Sequence, residues 1–188
     1  MNLPSIFINN VTQTFGQSGE RFLANLPNLL SEASRRWDLV IGEPYLLSYN
    51  YVCAVRRTDG TPAVLKIGVP DRELTSEINT LCLYSGQGAC CLYGSDPDAG
   101  MLLLECLVPG TMLATLEDDD QATRIAAELL CAIQRPAPVG GGFLSLRGWF
   151  DELKNLRPHF GGSTGPFPEI TVSTVEGLLR DLFAEETP

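Results

Sequence analysis

Histidine is almost absent from this chain of 188 residues, which contains only His159, followed by Phe160 and two glycines. Its six cysteines form no C-x-x-C pair and have no neighbouring histidine that could complete a zinc site. No apolar run approaches the roughly 18–20 residues of a membrane helix, and the first residues lack the pattern of a signal peptide. The sequence therefore excludes mechanisms that need two histidines. It predicts a reducing, cytoplasmic setting and no association with a membrane.

Positive charge is also scarce. Lysine and arginine total 13 against 23 aspartates and glutamates, a formal net charge of −10, while 44% of the residues are hydrophobic and 19% are charged. This composition is typical of a globular chain, long enough for one domain or two small lobes. The acidic balance argues against binding to nucleic acid and is compatible with a cationic small-molecule partner.

Periodicity predicts an α+β fold. Apolar residues recur at helical spacing over residues 18–37, where Pro27 is expected to kink or restart the helix. Two β-rich runs flank Asp59-Gly60, which is a hairpin signal. Short connections favour an antiparallel five-stranded sheet with one inserted helix packed on it. The predicted strands are residues 39–46, 52–58, 62–67, 89–93 and 101–107, and the inserted helix is residues 71–84.

The remainder of the chain is predicted to be helical. Four acidic residues at 117–120 precede a helix at 121–134; they could hold a metal, but we favour stabilisation of the first turn by the helix dipole. Residues 136–142, rich in proline and glycine, predict a linker and not a phosphate loop, because they follow a helix. Further helices are predicted over residues 146–156 and from a capping box at 173–176 to Phe183.

Lys66 is the one charged residue in its apolar strand. A lysine directed inward from a strand is costly unless an anion pairs with it, whereas a lysine on an edge strand can point to water. The helix that follows offers two carboxylates, Glu73 and Glu77, one turn apart. The pattern therefore predicts either an ion pair between helix and strand or a solvated strand lysine.

Several short motifs follow one another in a characteristic order: L-P at 26–27, R-W at 36–37, V-L-K at 64–66, E-I-N-T-L at 77–81, G-x-G-A at 86–89, and L-L-L-E with P-G at 102–105 and 109–110. In these motifs the chain resembles the amino-terminal portion of the aminoglycoside phosphotransferases, in the streptomycin 6-kinase or aminoglycoside/hydroxyurea resistance kinase group, which have a protein-kinase-like fold. The resemblance implies an N-terminal helical segment at residues 1–37, a nucleotide-binding lobe at 38–108, and a hinge with the start of a helical lobe at 109–188.

The resemblance also implies a site for ATP or ADP with Mg²⁺. Lys66 would bind the α- and β-phosphates, and Glu77 would hold Lys66, since its spacing to Leu81 matches the family's pattern and that of Glu73 does not. The other implied contacts are Val64 over the adenine face, backbone groups of Glu105, Cys106 and Leu107 at the adenine edge, and Ser48 and Asn50 in the phosphate-covering turn. That turn, residues 47–51, has none of the glycines of protein kinases.

The family's catalytic residues have no counterpart here. Transfer in the family needs an aspartate in a His-Gly-Asp loop, with an asparagine and a second aspartate for magnesium. Because His159 is followed by Phe160, no catalytic and no metal-binding residue is assigned in this chain. The resemblance implies a chain that stops before its catalytic loop and is inactive alone, from a family whose acceptors are cationic aminoglycosides or related small molecules.

Such a chain would leave apolar helix faces uncovered, and we expect these to drive formation of a homodimer. They centre on Trp149, Leu153, Leu179 and Phe183.

Two other interpretations remain open. The chain could be a non-catalytic remnant that binds a nucleotide or a protein partner, or the resemblance could be accidental and Lys66 merely solvated. Nucleotide binding that depends on Lys66 separates the kinase-like interpretation from the accidental one.

Overall fold

The computed structural model describes residues 2–138 and 140–184, which form two compact units. The first unit extends to Phe143, and its described residues contain three α-helices, the 3-10 helix Leu113–Thr115 and five strands; the second begins at Leu144. The elements of the first unit are α1 Ser5–Arg36, β1 Leu39–Pro44, β2 Tyr51–Arg57, β3 Pro62–Ile67, α2 Arg72–Tyr84, β4 Leu92–Asp96, β5 Met101–Glu105 and α3 Asp119–Ile133.

The five strands form one antiparallel sheet in the order β1-β2-β3-β5-β4, which confirms the predicted α+β class. Strand β3 has the predicted bounds and lies between β2 and β5. Strand β4 begins at Leu92 and not at residue 89, because the turn that ends α2 continues through three residues with positive φ. These are Ser85, Gly86 and Gly88.

Helix α1 is longer than predicted and breaks at a different residue. It begins at Ser5, and its break lies at Gly16, with φ 53° and ψ −131°, a conformation that glycine adopts at little steric cost. The predicted restart at Pro27 is wrong, because Pro27 lies inside the helix with helical geometry. A Cβ on Gly19 would lie 2.5 Å from the carbonyl oxygen of Val11, whereas eight residues of straight helix span about 12 Å. The chain therefore reverses at Gly16.

Helices α1 and α2 cover opposite faces of the sheet. Side chains alternate along a strand, so Leu65 and Ile67 of β3 are fully buried on the α1 side, while Lys66 projects to the α2 side. The core under α1 also includes Phe7, Val11, Phe22, Leu26, Leu29, Ala33, Cys53, Val55, Met101 and Leu103. The smaller core under α2 consists of Leu74, Ile78, Leu81 and Leu102.

The R-W motif joins the end of α1 to β4. Arg36 forms an ion pair with Asp96, and the Trp37 ring contacts Gly94 so closely that a Cβ there would lie 2.9 Å from its Nε1. The backbone amide of Ala99 and then Arg36 hold the pKa of Asp96 below its usual range. The motif thus fixes the edge strand β4 against the C-terminal end of α1.

The chain after the sheet holds the C-terminal end of α2. The guanidinium of Arg135 donates to the carbonyl oxygen of Leu83 at 3.1 Å and to Oε1 of Gln87 at 2.7 Å, and it lies over the ring of Tyr84. In the middle of α2, Nδ2 of Asn79 donates to the carbonyl oxygen of Gly141 at 3.0 Å. Arg135 and Gly141 thus contact the helix that carries Glu77.

The acidic run at 117–120 opens α3 in the way that the helix-dipole interpretation expects. Asp118 is the N-cap and accepts a hydrogen bond from the Gln121 amide at 2.9 Å, while Asp119 and Asp120 lie in the first turn. In the predicted linker that follows α3, Val139 lies outside the described residues.

The second unit departs from the predicted helices. In place of one helix over 146–156 it has α4 Leu146–Phe150, a 3-10 turn Asp151–Asn155 and α5 Leu156–His159. Helix α6, Glu169–Ala184, begins before the predicted capping box, because the carbonyl of Pro168 already accepts from the amide of Val172. Among the described residues of both units, no helix is long and apolar enough to cross a membrane.

The close approach of Gly19 to Val11 predicts a packing defect in the variant Gly19→Ala. The added methyl would overlap the Val11 carbonyl, so we expect a loss of about 1–3 kcal/mol in the free energy of unfolding, measured in urea. The neighbouring Ser18→Ala, at an exposed helical position, should change it by less than about 0.5 kcal/mol. Equal stability of the two variants would contradict the reversal at Gly16.

Candidate nucleotide site

Lys66 and Glu77 form an ion pair between β3 and α2. The Lys66 ammonium lies 2.7 Å from Oε1 and 2.6 Å from Oε2 of Glu77, and the two side chains are 19% and 36% exposed. Lys66 pairs across the sheet with Val52 on one side and Leu102 on the other. It therefore lies on an interior strand, which excludes the edge-strand alternative.

The geometry of α2 explains why Glu77 reaches Lys66. The Asp71 carboxylate caps the helix by accepting from the Leu74 amide at 2.7 Å, and Leu74 and Ile78 anchor the helix on the sheet. Glu77 lies beside the buried Ile78 and faces the strand. Glu73, the competing candidate, is exposed and reaches only the wall of the adjoining cavity.

A cavity of about 470 Å³ adjoins the ion pair. Three carboxylates and one ammonium group line it, so its charged side chains sum to −2. Its lining residues are Thr14, Phe15, Tyr49, Asn50, Lys66, Val69, Asp71, Glu73, Leu74 and Glu77.

Thr14 and Phe15 are lining residues that the sequence analysis missed. They belong to the part of α1 before Gly16, which was not predicted to be helical. A signal was present, since Phe7, Val11 and Phe15 recur at intervals of four residues, as on one face of a helix. The reversal that brings this face to the sheet had no such signal.

The turn at residues 47–51 reaches the cavity through Tyr49 and Asn50 and not through the Ser48 side chain. Asn50 lines the cavity and lies against Gly68, where a Cβ would collide with its Oδ1. The Ser48 carbonyl oxygen accepts a hydrogen bond from Nδ2 of Asn10 at 3.2 Å. Of the two predicted turn residues, Asn50 is the one whose side chain meets Lys66 in a common cavity.

A second, smaller cavity of about 240 Å³ lies at the start of β3. Cys106, at the end of β5, lines it together with Val40, Gly42 and Ala54. Val64 is half-buried on the same strand face as Lys66 and pairs with Ala54. Apolar sheet residues thus continue from Lys66 toward the connection after β5.

The remaining predicted residues belong to that connection. The Glu105 amide donates to the Cys91 carbonyl at 2.9 Å, and its Oε2 accepts from the Cys91 amide at 2.9 Å, so both groups serve the sheet. Leu107 is 59% exposed beyond the end of β5. The structure thus brings Lys66, Glu77 and Asn50 into one cavity and sets Cys106 on the second.

Two thiols next to β4 have a pKa above the usual value. Burial raises the pKa of Cys90, and a hydrogen bond to Glu105 raises the pKa of Cys91. Burial also raises the pKa of Cys53 in the core to about 11. Within residues 2–138 and 140–184, no group of three or more His, Cys, Asp or Glu side chains is arranged to hold a metal ion.

The sheet, the inserted helix and the lysine–glutamate pair have the arrangement of the amino-terminal lobe of a protein-kinase-like phosphotransferase. A family model, Aminoglycoside/hydroxyurea antibiotic resistance kinase, matches residues 40–164. The chain belongs to this family.

Characterised relatives agree with this assignment. The streptomycin 6-kinase of Streptomyces glaucescens is 36% identical over 142 residues, which cover 74% of this chain and 46% of that protein. The streptomycin 6-kinase of Streptomyces griseus is 33% identical, with the same coverage of each chain. The hydroxyurea phosphotransferase of Kitasatospora aureofaciens is 32% identical and covers 71% of this chain and 40% of that protein. The chain thus spans about half the length of the curated relatives it matches. No solved structure matches it.

The ion pair predicts unequal effects of removing its two members. Glu77→Gln should lower the free energy of unfolding by about 1 kcal/mol, because it leaves the partly buried ammonium of Lys66 without its anion. Lys66→Met removes that charge and should cost less. Urea unfolding measures both, and Glu73→Gln, at an exposed position, is the matched control. An equal loss for Glu73→Gln and Glu77→Gln would contradict this account.

Proposed function

We propose that the chain binds ATP or ADP with Mg²⁺ on the α2 side of the sheet and supplies the nucleotide lobe of an antibiotic phosphotransferase. The observation that carries this proposal is the Lys66–Glu77 pair on an interior strand beside a cavity of about 470 Å³. A lysine on an apolar strand can bind phosphate oxygens, and the helix glutamate holds its ammonium in place.

The adenine end would lie over the apolar sheet residues. Val64 is two residues from Lys66 on the same face, about 7 Å along the strand, a separation that suits a ribose between adenine and phosphates. Val40, Ala54 and Cys106 would complete the apolar surface. Backbone groups from Glu105 to Leu107 would bind the adenine edge, as in the family.

Bound to the nucleotide phosphates, magnesium would supply neutralising charge for phosphoryl transfer. The family's magnesium-binding loop has no counterpart in the 188 residues, and the described carboxylates form no cluster that fits the ion. Lys66 would meet the phosphates directly, and Glu77 would orient it. A magnesium nucleotide also suits the acidic cavity better than the free nucleotide does, since it carries less negative charge.

The reaction of the whole enzyme would be transfer of the γ-phosphoryl group of ATP to a hydroxyl of a cationic aminoglycoside, in the cytoplasm, which supplies ATP. The relatives named for streptomycin and the net charge of −10 support a cationic acceptor. We propose that these 188 residues do not carry out the transfer alone, because they contain no His-Gly-Asp sequence to supply the general base. The alternative role, a non-catalytic module that binds nucleotide or a protein, is supported by the same absence.

Binding of ADP tests the site through the only two lysines of the chain, Lys66 and Lys154. Calorimetric titration with ADP and Mg²⁺ should give a signal that Lys66→Ala abolishes, because that variant loses the phosphate-binding charge. Lys154→Ala should bind as the unmodified protein does, since this side chain is 78% exposed in the second unit.

The same proteins separate the two roles. Incubation of the unmodified chain with Mg-ATP and streptomycin should give no phosphorylated product above the level of Lys66→Ala. Binding without transfer supports a nucleotide lobe that needs further residues for catalysis. Product formation would refute the proposed inactivity, and absence of ADP binding would refute the site itself.

We further propose that the chain forms a homodimer through the second unit. Trp149 is 55% exposed there, and Leu153, Leu179 and Phe183 line a cavity of about 460 Å³ whose other lining residues are mostly charged. Sedimentation at tens of micromolar should show a dimer that Trp149→Ser weakens, because the substitution removes apolar surface. The exposed and polar Asn155→Ser is the control. A monomer for the unmodified chain would contradict the proposal.

A further inference from the structure

We infer that the first helical segment of α1, residues 5–15, is part of the nucleotide site, with Asn10 as a positioning residue for the turn at 47–51 and Thr14 as part of the cavity wall. This inference rests on the proposed nucleotide binding at Lys66. The segment lies outside residues 40–164, the region that matches the family model.

The segment is firmly attached to the sheet. Phe7 and Val11 are fully buried in the core that includes β3, and Gly19 fits against the Val11 carbonyl. The conformation of Gly16 reverses the chain so that Thr14 and Phe15 meet the cavity. The wall is therefore supported by buried contacts and does not depend on a bound ligand.

Asn10 connects this fixed segment to the turn. It is half-buried, and its Nδ2 donates to the carbonyl oxygen of Ser48 across 38 residues of sequence. Two residues later, Asn50 lines the cavity beside Lys66. Because the turn has no glycine to wrap it over a ligand, a hydrogen bond from outside the turn fixes where Asn50 lies.

The chemistry of the cavity gives the wall a role in binding phosphate. The charged lining groups are Lys66 and three carboxylates. Lys66 attracts a nucleoside diphosphate, whereas the carboxylates repel it. Neutral donors do not add to that repulsion, and both the Thr14 hydroxyl and the Asn50 amide can donate to phosphate oxygens. These two groups, with the Tyr49 hydroxyl, would form the neutral part of the phosphate site.

Calorimetric titration with ADP and Mg²⁺ tests Asn10 in the complete chain. Asn10→Asp keeps the shape but cannot donate to the Ser48 carbonyl, so affinity should fall by roughly three- to tenfold, the range for one lost hydrogen bond. Asn9→Asp adds the same charge at the adjacent exposed position and should bind as the unmodified protein does. Asn10→Gln retains the amide donor and should recover most of the affinity, which a general loss of stability would not allow.

A second pair of variants tests the wall. Thr14→Trp places a bulky ring in the cavity, so we expect ADP affinity to fall by about tenfold or more, with the melting temperature maintained because Thr14 is not buried in the core. Gln13→Trp places the same ring on the exposed neighbour outside the cavity and should leave the affinity unchanged.

The outcomes distinguish this inference from the function on which it rests. Loss of binding in Lys66→Ala, with Asn10→Asp equal to Asn9→Asp and Thr14→Trp equal to Gln13→Trp, would overturn the role of the segment and leave the nucleotide site intact. Binding that survives Lys66→Ala would overturn the proposed function. Loss in Asn10→Asp and Thr14→Trp, but in neither control, supports the inference.

Discussion

Lys66 carries a positive charge on the middle strand of the sheet, and a partly buried charge of this kind is stable only when an anion faces it. Glu77 supplies that anion, and the features around α2 keep it in place. The Asp71 cap sets where the helix begins, the apolar stripe of α2 fixes its rotation on the sheet, and Arg135 holds its end. The site therefore depends on where one helix lies, and several weak contacts determine that position together.

The two faces of the sheet have different tasks. On one face, α1 buries nearly every inward-pointing side chain and supplies most of the core. On the other face, α2 covers only part of the sheet, which leaves Val64 half-buried and Lys66 open to a cavity. Apolar burial is the main source of stability. The core on the α1 face can therefore stabilise the sheet while polar groups occupy part of the α2 face. The sheet that carries the charged pair is thus stabilised mainly by the apolar core on its opposite face.

Much of this arrangement follows from local sequence. The bounds of β3 and the antiparallel five-stranded sheet follow from short-range patterns, which the folded chain preserves. The choice of Glu77 over Glu73 came from the family's spacing to Leu81, and the ion pair agrees with it. The failures involve contacts between distant residues. The reversal at Gly16 depends on what the preceding helix meets across the sheet, and no neighbouring residue encodes that. Helix α6 likewise begins at Glu169, whose carboxylate binds Arg157 from the preceding elements, and not at the capping box. Secondary-structure propensity depends on the residues of one segment, whereas these contacts form only when distant segments pack together.

The contacts of Asn79 and Arg135 show which residues belong with the sheet in one structural unit. The strands end at Glu105, yet α2 takes hydrogen bonds from Arg135 and gives one to Gly141, and the far end of the sheet is held by Arg36. A fragment cut at the last strand would keep every strand but lose the contacts of Arg135 and Gly141 with α2. The smallest fragment that keeps these contacts is accordingly larger than the sheet. It includes both helical segments of α1 and continues through the glycines after α3. A design that transfers the sheet and its helices to another protein would have to include that whole segment.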